Sequence, residues 1–302
     1  MRVFSAAAAI AMFTIGALLL GACSEKADAR TSLSEPGAAE GAPYVLADTQ
    51  VLNVPDPVSG RNYQVFVSLP ADYEANPDRR YPTLYVTDAD YAFPIIRQIA
   101  RRVNLDGPRV EDFILVGLSY AANEGGMVSR TRDYTPVRIN DRTGGGAAYQ
   151  TYLKTRVLPF IEDRFRADPA RRNLLGHSYG GLLGAQILFS EPELFDGYIL
   201  GSPSFWFGDH AMMRTEADYA RANKDLPARV HMYIGEYETP GPGRRNTRYD
   251  MVGDNARFEA RLRSRGYPGL TLTNEVLNDE DHLTVAPRGF THGLLTLLPA
   301  RG

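Results

Sequence analysis

The feature that most constrains the fold is a serine set between glycines inside an otherwise apolar stretch. Residues 173–189 read NLLGHSYGGLLGAQILF, with Ser178 between Gly176 and Gly180. A strand-like segment precedes the serine and a helix-like segment follows it, so the glycines fall at a sharp turn. Such a turn leaves no room for side chains two residues either side of the serine, and it exposes the hydroxyl. The pattern predicts a nucleophile elbow; a Gly-rich connection without chemistry is the alternative.

The rest of the globular part alternates between strand-like and helix-like segments. At 302 residues and 44% hydrophobic composition, the chain can bury a full core as one large domain. Continuous apolar runs at 83–86 and 113–118 are typical of central strands covered on both faces. Further strands are expected at 64–70, 197–202, 229–234 and 270–276, and helices at 91–103, 149–165, 182–189, 257–265 and 289–298. This alternation predicts an α/β fold with a mostly parallel central sheet and helices on both of its faces.

The first 22 residues are not expected to belong to this fold. A short positive start precedes an apolar stretch at 3–20, and small residues then lead to Cys23, the single cysteine of the chain. This order is typical of an export signal, although an uncleaved membrane anchor is the alternative because the run approaches spanning length. Residues 20–23 read LGAC and resemble the lipobox of bacterial lipoproteins. The resemblance implies that Cys23 is lipidated and holds the protein at the bacterial cell envelope, facing the periplasm.

Composition predicts the remaining domain boundaries and argues against nucleic acid and metal ions as partners. Residues 24–43 are small, polar and free of aromatic side chains, which predicts a flexible linker at 23–43 before a catalytic domain at 44–302. The net charge is −3, so the basic excess of a nucleic-acid-binding protein is missing. No Cys/His spacing typical of a metal site occurs, and neither a metal nor another cofactor is expected.

A nucleophile elbow requires an acid and then a histidine further along the chain. The chain has five histidines. His282 ends the polar sequence NDEDH at 278–282, between the penultimate strand and the closing helix, and we predict that it is the base. Of the other four, His177 lies in the elbow itself and His210 precedes any late acid. His231 lies in a predicted strand and His292 in the last predicted helix.

The acid is expected directly after the strand at 229–234. Two glutamates follow that strand, Glu236 and Glu238. Glu238 lies further along the turn and is preferred, with Glu236 as the alternative. The carboxylate would hold the imidazole in the correct tautomer and offset the charge that develops on it.

Two backbone N–H groups are predicted to form an oxyanion hole. The first belongs to Tyr179, which follows the nucleophile at the positive end of a helix. The second is expected in the loop after the 83–86 strand, at Asp90, because the small Ala89 lets the backbone approach the substrate.

With these residues identified, the chain resembles the putative-esterase group of α/β hydrolases. That group includes the ferric-enterobactin and bacillibactin esterases, the mycolyltransferases of the antigen family and esterase D. The likeness is strongest at 175–181 (LGHSYGG), 195–204 (FDGYILGSPS) and 280–282 (EDH). Residues 82–90 match the family's strand and Asp-Gly-x oxyanion turn, with Ala89 where glycine is usual. The resemblance implies an α/β-hydrolase fold and a serine carboxylic-ester hydrolase that works through an acyl-enzyme without a cofactor.

Family likeness and export together favour a ferric siderophore ester as the small-molecule substrate. A ferric catecholate is strongly anionic, which suits the arginines in the loop after the proposed acid, Arg244, Arg245 and Arg248. Trp206, flanked by two phenylalanines, could stack on catechol rings. A solvated basic loop and a core aromatic cluster are the alternatives for these residues. For the whole protein, the alternatives are a feruloyl or acetyl polysaccharide esterase and a non-catalytic binding lipoprotein on a hydrolase scaffold.

Overall fold

A computed structural model describes residues 40–242 and 248–301. Eight strands in this part of the chain form one sheet, in the order β1-β2-β4-β3-β5-β6-β7-β8. Their bounds are Thr49–Pro55 (β1), Asn62–Ser68 (β2), Tyr81–Val86 (β3), Ile114–Ala121 (β4), Ala167–His177 (β5), Gly197–Gly201 (β6), Ala228–Gly235 (β7) and Leu270–Leu277 (β8). The two pairs that involve β2 are antiparallel and the other five are parallel. The predicted mostly parallel sheet is therefore confirmed.

Helices connect the parallel strands. They span Ala89–Arg102 (α1), Gly126–Asp133 (α2), Gly146–Tyr152 (α3), Leu158–Arg164 (α4), Tyr179–Ser190 (α5), Phe207–Ala222 (α6), Met251–Arg265 (α7) and Val285–Leu297 (α8), with a π-helical turn at Leu153–Val157 and a short 3-10 turn at Pro192–Leu194. None of the helices described here has both the length and the apolar character that crossing a bilayer requires.

Apolar side chains cover the sheet on both faces. One buried cluster contains α1 and α8 with side chains such as Leu84 and Ile199 of the sheet. The larger cluster lies on the opposite face and contains residues of α3 to α7. All six residues of β3 are buried, as expected for a central strand between two helical layers. The predicted helical cover on both faces is confirmed.

Several elements differ from the sequence prediction, each for a local reason. The helix expected at 149–165 is real but is interrupted by the π-helical turn, next to Pro159, which lacks a backbone N–H. Strand β1 and helices α2 and α6 were not predicted. Helix α2 is short and polar, so it has no clear apolar face, and α6 contains a left-handed turn at 208–210 that breaks helical periodicity. Helix α1 starts at Ala89, within the segment that we expected to be a loop.

Helix α5 is the element that holds the elbow in place. Ten of its twelve residues are buried, which explains why its sequence is apolar on every side. Gly184 allows the helix to lie close to the sheet, because a Cβ atom at that position would be 2.6 Å from a methyl group of Leu200. The turn before α5 is therefore anchored by a helix that is packed on all sides.

Candidate active site

The turn between β5 and α5 has the geometry of a nucleophile elbow. Ser178 adopts φ 62° and ψ −117°, a conformation that residues with a side chain rarely take. A Cβ atom on Gly176 would lie 2.2 Å from the backbone of Gly180, and one on Gly180 would lie 2.1 Å from the hydroxyl oxygen of Thr87. Only glycine fits at either position, so the spacing of the motif follows from the close approach of the backbone.

The structure brings Glu238 to the imidazole of His282. The ring nitrogen Nδ1 of His282 lies 2.6 Å from Oε2 of Glu238. The other carboxylate oxygen accepts hydrogen bonds from the Ser202 hydroxyl at 2.6 Å and from the Gly235 N–H at 2.8 Å. Glu238 is only 1% exposed, so it is a fully bonded carboxylate in a low-dielectric setting. The contact with Glu238 leaves Nε2 as the ring nitrogen that can exchange a proton with substrate.

Glu236, the alternative acid, makes a different contact. Its carboxylate accepts the backbone N–H of Asp279 at 3.1 Å, in the loop that precedes His282. Glu236 therefore supports the backbone of the histidine loop, whereas Glu238 contacts the ring.

The hydroxyl of Ser178 lies beside a second serine. Its Oγ is 3.3 Å from Oγ of Ser204, and the Ser204 N–H donates to the Ser178 carbonyl at 3.2 Å. Within the described residues no hydrogen bond joins the Ser178 hydroxyl to His282. Catalytic hydrogen bonds of this kind often form only when substrate is bound.

The two predicted oxyanion donors lie at the starts of two neighbouring helices. Strands β3 and β5 are parallel neighbours, with Val86 paired to Leu175, so the helices that follow them begin at the same edge of the sheet. Asp90 is in the first turn of α1 rather than in a loop, which corrects the expected local structure. First-turn N–H groups have no partner within their own helix, so those of Asp90 and Tyr179 are of the kind that can bind an anion.

Sequence reasoning missed Arg130, a cation next to the elbow whose side chain is 13% exposed. Its guanidinium donates to both carboxylate oxygens of Asp88, at 2.7 and 3.0 Å, and to the His177 carbonyl at 3.2 Å. It also lies 5.2 Å from the centre of the Tyr179 ring. Burial alone would lower the pKa of Arg130, but the charge of Asp88 more than offsets this and raises it. The positive charge is thus permanent and sits beside the residues that flank Ser178.

The sequence contained only a weak signal for this ion pair. Asp88 lies in the expected oxyanion turn, but Arg130 is 42 residues further on, in a short polar helix. The Asp88 carboxylate also accepts the hydroxyl of Tyr120 at 2.7 Å. The fold brings these groups together, and nothing in the local pattern of α2 marks Arg130 among its neighbours.

Trp206 and Arg248, two of the predicted substrate residues, line a common cleft. The Trp206 ring is stacked on Tyr249 at 4.0 Å with an angle of 4° between the planes, and it lies 6.1 Å from the Tyr179 ring. The Arg248 guanidinium is 5.2 Å from the centre of the Tyr249 ring. The cleft has a volume of about 380 Å³. This stacked pair of rings, which we call the aromatic shelf, therefore lies next to the elbow with a cation over one of its rings.

Other predicted substrate residues are not in this cleft or cannot be placed. Phe205 and Phe207, the neighbours of Trp206, are fully buried in the core, as the alternative of a core aromatic cluster predicts for them. Arg244 and Arg245 lie outside the described residues. In the described ranges no group of three or more His, Cys, Asp or Glu side chains is arranged to hold a metal ion.

Comparison with known proteins agrees with this geometry. The model of the family described as "Putative esterase" matches residues 57–271. The ferri-bacillibactin esterase BesA of Bacillus subtilis is 27% identical over 264 residues, which cover 81% of this chain and 87% of that protein. The siderophore triacetylfusarinine C esterase of Aspergillus fumigatus is 28% identical over 214 residues, covering 68% of this chain and 73% of that one. The crystal structure of the BES protein from Bacillus cereus superimposes with a TM-score of 0.74 at 25% identity, covering 86% of this chain and 98% of that chain.

The chain belongs to the "Putative esterase" family, because the match spans most of its length and the fold agrees. It is a carboxylic-ester hydrolase with the α/β-hydrolase fold.

The position of the Arg130 charge beside the elbow leads to a prediction about ester hydrolysis. Arg130→Met should lower kcat about 100-fold on a simple acyl ester, because a fixed cation beside Ser178 stabilises negative charge that develops on the substrate. Arg130→Lys keeps the positive charge but loses the paired hydrogen bonds to Asp88, so its kcat should lie between those of wild type and Arg130→Met. Initial rates measured below the melting temperature of each variant test this.

Arg132 provides the matched control. It lies on the same helix and is equally ion-paired, but its partners are Asp133 and Glu124 rather than the elbow. Arg132→Met should keep kcat within about threefold of wild type, since no oxyanion donor is lost. Folded Arg130→Met protein with more than a third of wild-type kcat would contradict the assignment.

Proposed function

We propose that this protein is an exported serine esterase that hydrolyses the ester bonds of ferric siderophores, with Ser178, His282 and Glu238 as its catalytic triad. The observation that carries the proposal is the 2.6 Å contact between His282 and a buried Glu238, beside an elbow serine, in a chain similar to a ferri-bacillibactin esterase over four-fifths of its length.

The geometry supports a two-step acyl transfer. His282 Nε2 takes the proton of the Ser178 hydroxyl while the oxygen attacks the ester carbonyl carbon. Glu238 accepts the Nδ1–H of His282 and stabilises the imidazolium that forms. Collapse of the tetrahedral intermediate breaks the bond to the alcohol oxygen, which receives the proton from His282. Water then attacks the acyl-Ser178 ester by the same route and releases the acid.

Negative charge on the carbonyl oxygen would be stabilised by three groups. The N–H groups of Tyr179 and Asp90 are the backbone donors that we infer, one from the start of each neighbouring helix. The Arg130 guanidinium, which is ion-paired with Asp88, adds a positive charge in a mostly buried setting, where charge interactions are stronger than in water. Asp88 holds that guanidinium in place through hydrogen bonds to both of its carboxylate oxygens.

The cleft offers a substrate aromatic rings and the cation of Arg248, and its lining also includes three carboxylates, those of Asp209, Asp250 and Asp254. The rings of Trp206 and Tyr249 are stacked face to face, and the Arg248 guanidinium lies over the Tyr249 ring. A ferric catecholate combines aromatic rings with net negative charge and matches both features. BesA and the Aspergillus fumigatus relative are both named for siderophore esters, which supports the same substrate class.

The triad proposal predicts an ordered set of losses in kcat. Ser178→Ala and His282→Ala should each lose about 10⁴-fold or more on a simple acyl ester, because triad residues act as a unit. Glu238→Gln should lose about 100-fold or more, since the amide that replaces Oε2 cannot accept the Nδ1–H of His282. The matched control is Glu236→Gln, on the same turn, which should stay within about threefold. Initial rates and melting temperatures of the four variants decide this, and a reversed ranking of the two glutamine variants would transfer the acid role to Glu236.

The substrate proposal predicts cleavage of a ferric trilactone siderophore by the purified protein. Linear products should be visible by liquid chromatography, with kcat/KM well above that for feruloyl or acetyl-xylan esters. Trp206→Ala should raise KM for the ferric siderophore about tenfold, which corresponds to about 1.4 kcal/mol of lost stacking. Its effect on a simple acyl ester should be much smaller.

Two other experimental outcomes would each favour one of the alternative functions. Good turnover of feruloyl or acetyl esters without any cleavage of siderophores would make the protein a polysaccharide esterase. Failure of Ser178 to react with an active-site serine phosphonate would favour a binding lipoprotein.

We also propose that residues 1–22 are a signal peptide and that lipidated Cys23 anchors the enzyme at the cell envelope, facing the periplasm. The sequence LGAC at 20–23 is the support for this proposal. Cys23 and most of the linker at 23–43 lie outside the described residues. A flexible linker of that length would let the catalytic domain reach roughly 25 Å from the bilayer.

The anchor can be tested by cell fractionation. Cys23→Ser should move the enzyme from the membrane fraction to the soluble fraction, or block its processing, because a serine cannot carry the thioether-linked lipid. Ser24→Ala, one residue further on, is the control and should remain in the membrane fraction. A processed Cys23→Ser protein that is as membrane-bound as wild type would show that another segment holds it.

A further inference from the structure

The histidine before the nucleophile makes two hydrogen bonds that the proposed mechanism does not use. His177 is the last residue of β5, and its side chain is buried. Its Nε2 lies 2.9 Å from the backbone carbonyl oxygen of His282, and its Nδ1 lies 3.3 Å from the hydroxyl of Tyr233. The rings of His177 and His282 are 4.8 Å apart between centres. His177 therefore joins the elbow to the segment that carries the proposed base.

These contacts determine the tautomer of His177. Burial lowers the pKa of His177 well below its usual value, and the neighbouring His282 lowers it further, so the ring is neutral. A neutral imidazole carries one N–H, and a carbonyl oxygen can only accept a hydrogen bond. Nε2–H consequently donates to the His282 carbonyl, and Nδ1 accepts the hydroxyl of Tyr233.

Tyr233 is a rigid partner for this ring. It is fully buried on β7, where a Cβ atom on Gly201 would lie 2.0 Å from its hydroxyl oxygen and one on Gly289 would lie 2.3 Å from its ring. The phenol thus occupies space that two glycines leave open. Because Tyr233 cannot move without disturbing the sheet, it holds His177 in one orientation.

The loop that carries His282 needs such a connection. It links β8 to α8, and Leu283, the residue after His282, is 82% exposed, so apolar packing does not hold the loop at this point. Glu238 holds the Nδ1 side of the ring, whereas His177 holds the backbone from which the ring projects. His177 is also bonded covalently to Ser178. The hydrogen bond to the His282 carbonyl thus runs directly between the parts of the chain that carry the two reacting groups.

We propose that His177 is a positioning residue, whose neutral Nε2–H tautomer binds the His282 carbonyl and sets the distance between the His282 ring and Ser178. The inference rests on the proposed function, because it takes His282 as the base. The neutrality of His177 also matters for the reaction, since a second positive charge about 5 Å away would oppose protonation of His282.

The test compares two substitutions at position 177. Glutamine can place an N–H group where His177 Nε2 lies, and leucine fills a similar volume without a donor. We expect His177→Gln to keep kcat within about threefold of wild type. His177→Leu should lower kcat about 30-fold with KM changed less than about twofold, because a misplaced base slows the chemical step more than it weakens substrate binding.

His231 is the matched control for the loss of a buried histidine. It lies on β7, its Nδ1 is 2.9 Å from the Thr273 hydroxyl, and burial lowers its pKa to about 4. It does not contact the His282 loop. His231→Leu should lower the melting temperature but leave kcat within about threefold, which separates a general packing effect from positioning.

A second measurement does not depend on activity. In proton NMR, the hydrogen between His282 Nδ1 and Glu238 should give a downfield resonance in wild type. The resonance should persist in His177→Gln and His231→Leu and should broaden by exchange with water in His177→Leu, because the loop is then less constrained.

Three results would overturn the proposal. They are wild-type kcat in His177→Leu, equal losses in His177→Gln and His177→Leu, and an unchanged resonance in His177→Leu. If wild type hydrolyses no ester, the proposed function fails, and the NMR comparison still decides whether His177 constrains the loop.

Discussion

The close approach of two backbone segments at the elbow is the constraint on which the rest of the site depends. The backbone of Gly180 leaves no room for a side chain at Gly176, and Thr87 leaves none at Gly180; between them, Ser178 adopts a conformation that side chains rarely take. Strand β5, which precedes Ser178, and the buried helix α5, which follows it, keep the strained backbone of Ser178 in place. Parallel neighbours of β5 end at the same edge of the sheet, so the turns after β3, β6, β7 and β8 surround the serine.

Two buried carboxylates near the elbow are each paired with a basic side chain. Asp88 pairs with Arg130, and Glu238 pairs with His282 and is further bonded by Ser202 and a backbone N–H. Removing one member of such a pair leaves a buried charge without its partner, which costs several kcal/mol. The same low dielectric that makes these pairs costly to break increases their effect on charge that develops on a substrate. Stability and reactivity are therefore linked at this site.

Reaction chemistry and substrate preference depend on different parts of the molecule. The elbow, the histidine loop and the Asp88–Arg130 pair lie on rigid elements at the edge of the parallel strands, and the family match from residue 57 to residue 271 includes most of them. The aromatic shelf of Trp206 and Tyr249 is built from the starts of α6 and α7, next to a left-handed turn at 208–210. Connections of this kind vary among proteins that share a fold, so we expect the aromatic shelf, more than the elbow, to decide which ester is cleaved.

The sequence by itself determined the features that arise from local chemistry. The glycine spacing around Ser178 predicted the elbow because steric exclusion acts within five residues, and continuous apolar runs predicted the central strands because burial on both faces demands them. The order of the motifs led to the prediction of His282, among five histidines, as the base. Tertiary structure decided what depends on side-chain direction and on contacts between distant segments. Glu236 and Glu238 are two residues apart on one turn, and only the folded chain shows that Glu238 contacts the imidazole. Arg130 and Asp88 are 42 residues apart, and His177 and His282 are 105 residues apart. Contacts between such distant residues form only when the sheet and helices pack together, so no local sequence pattern predicts them.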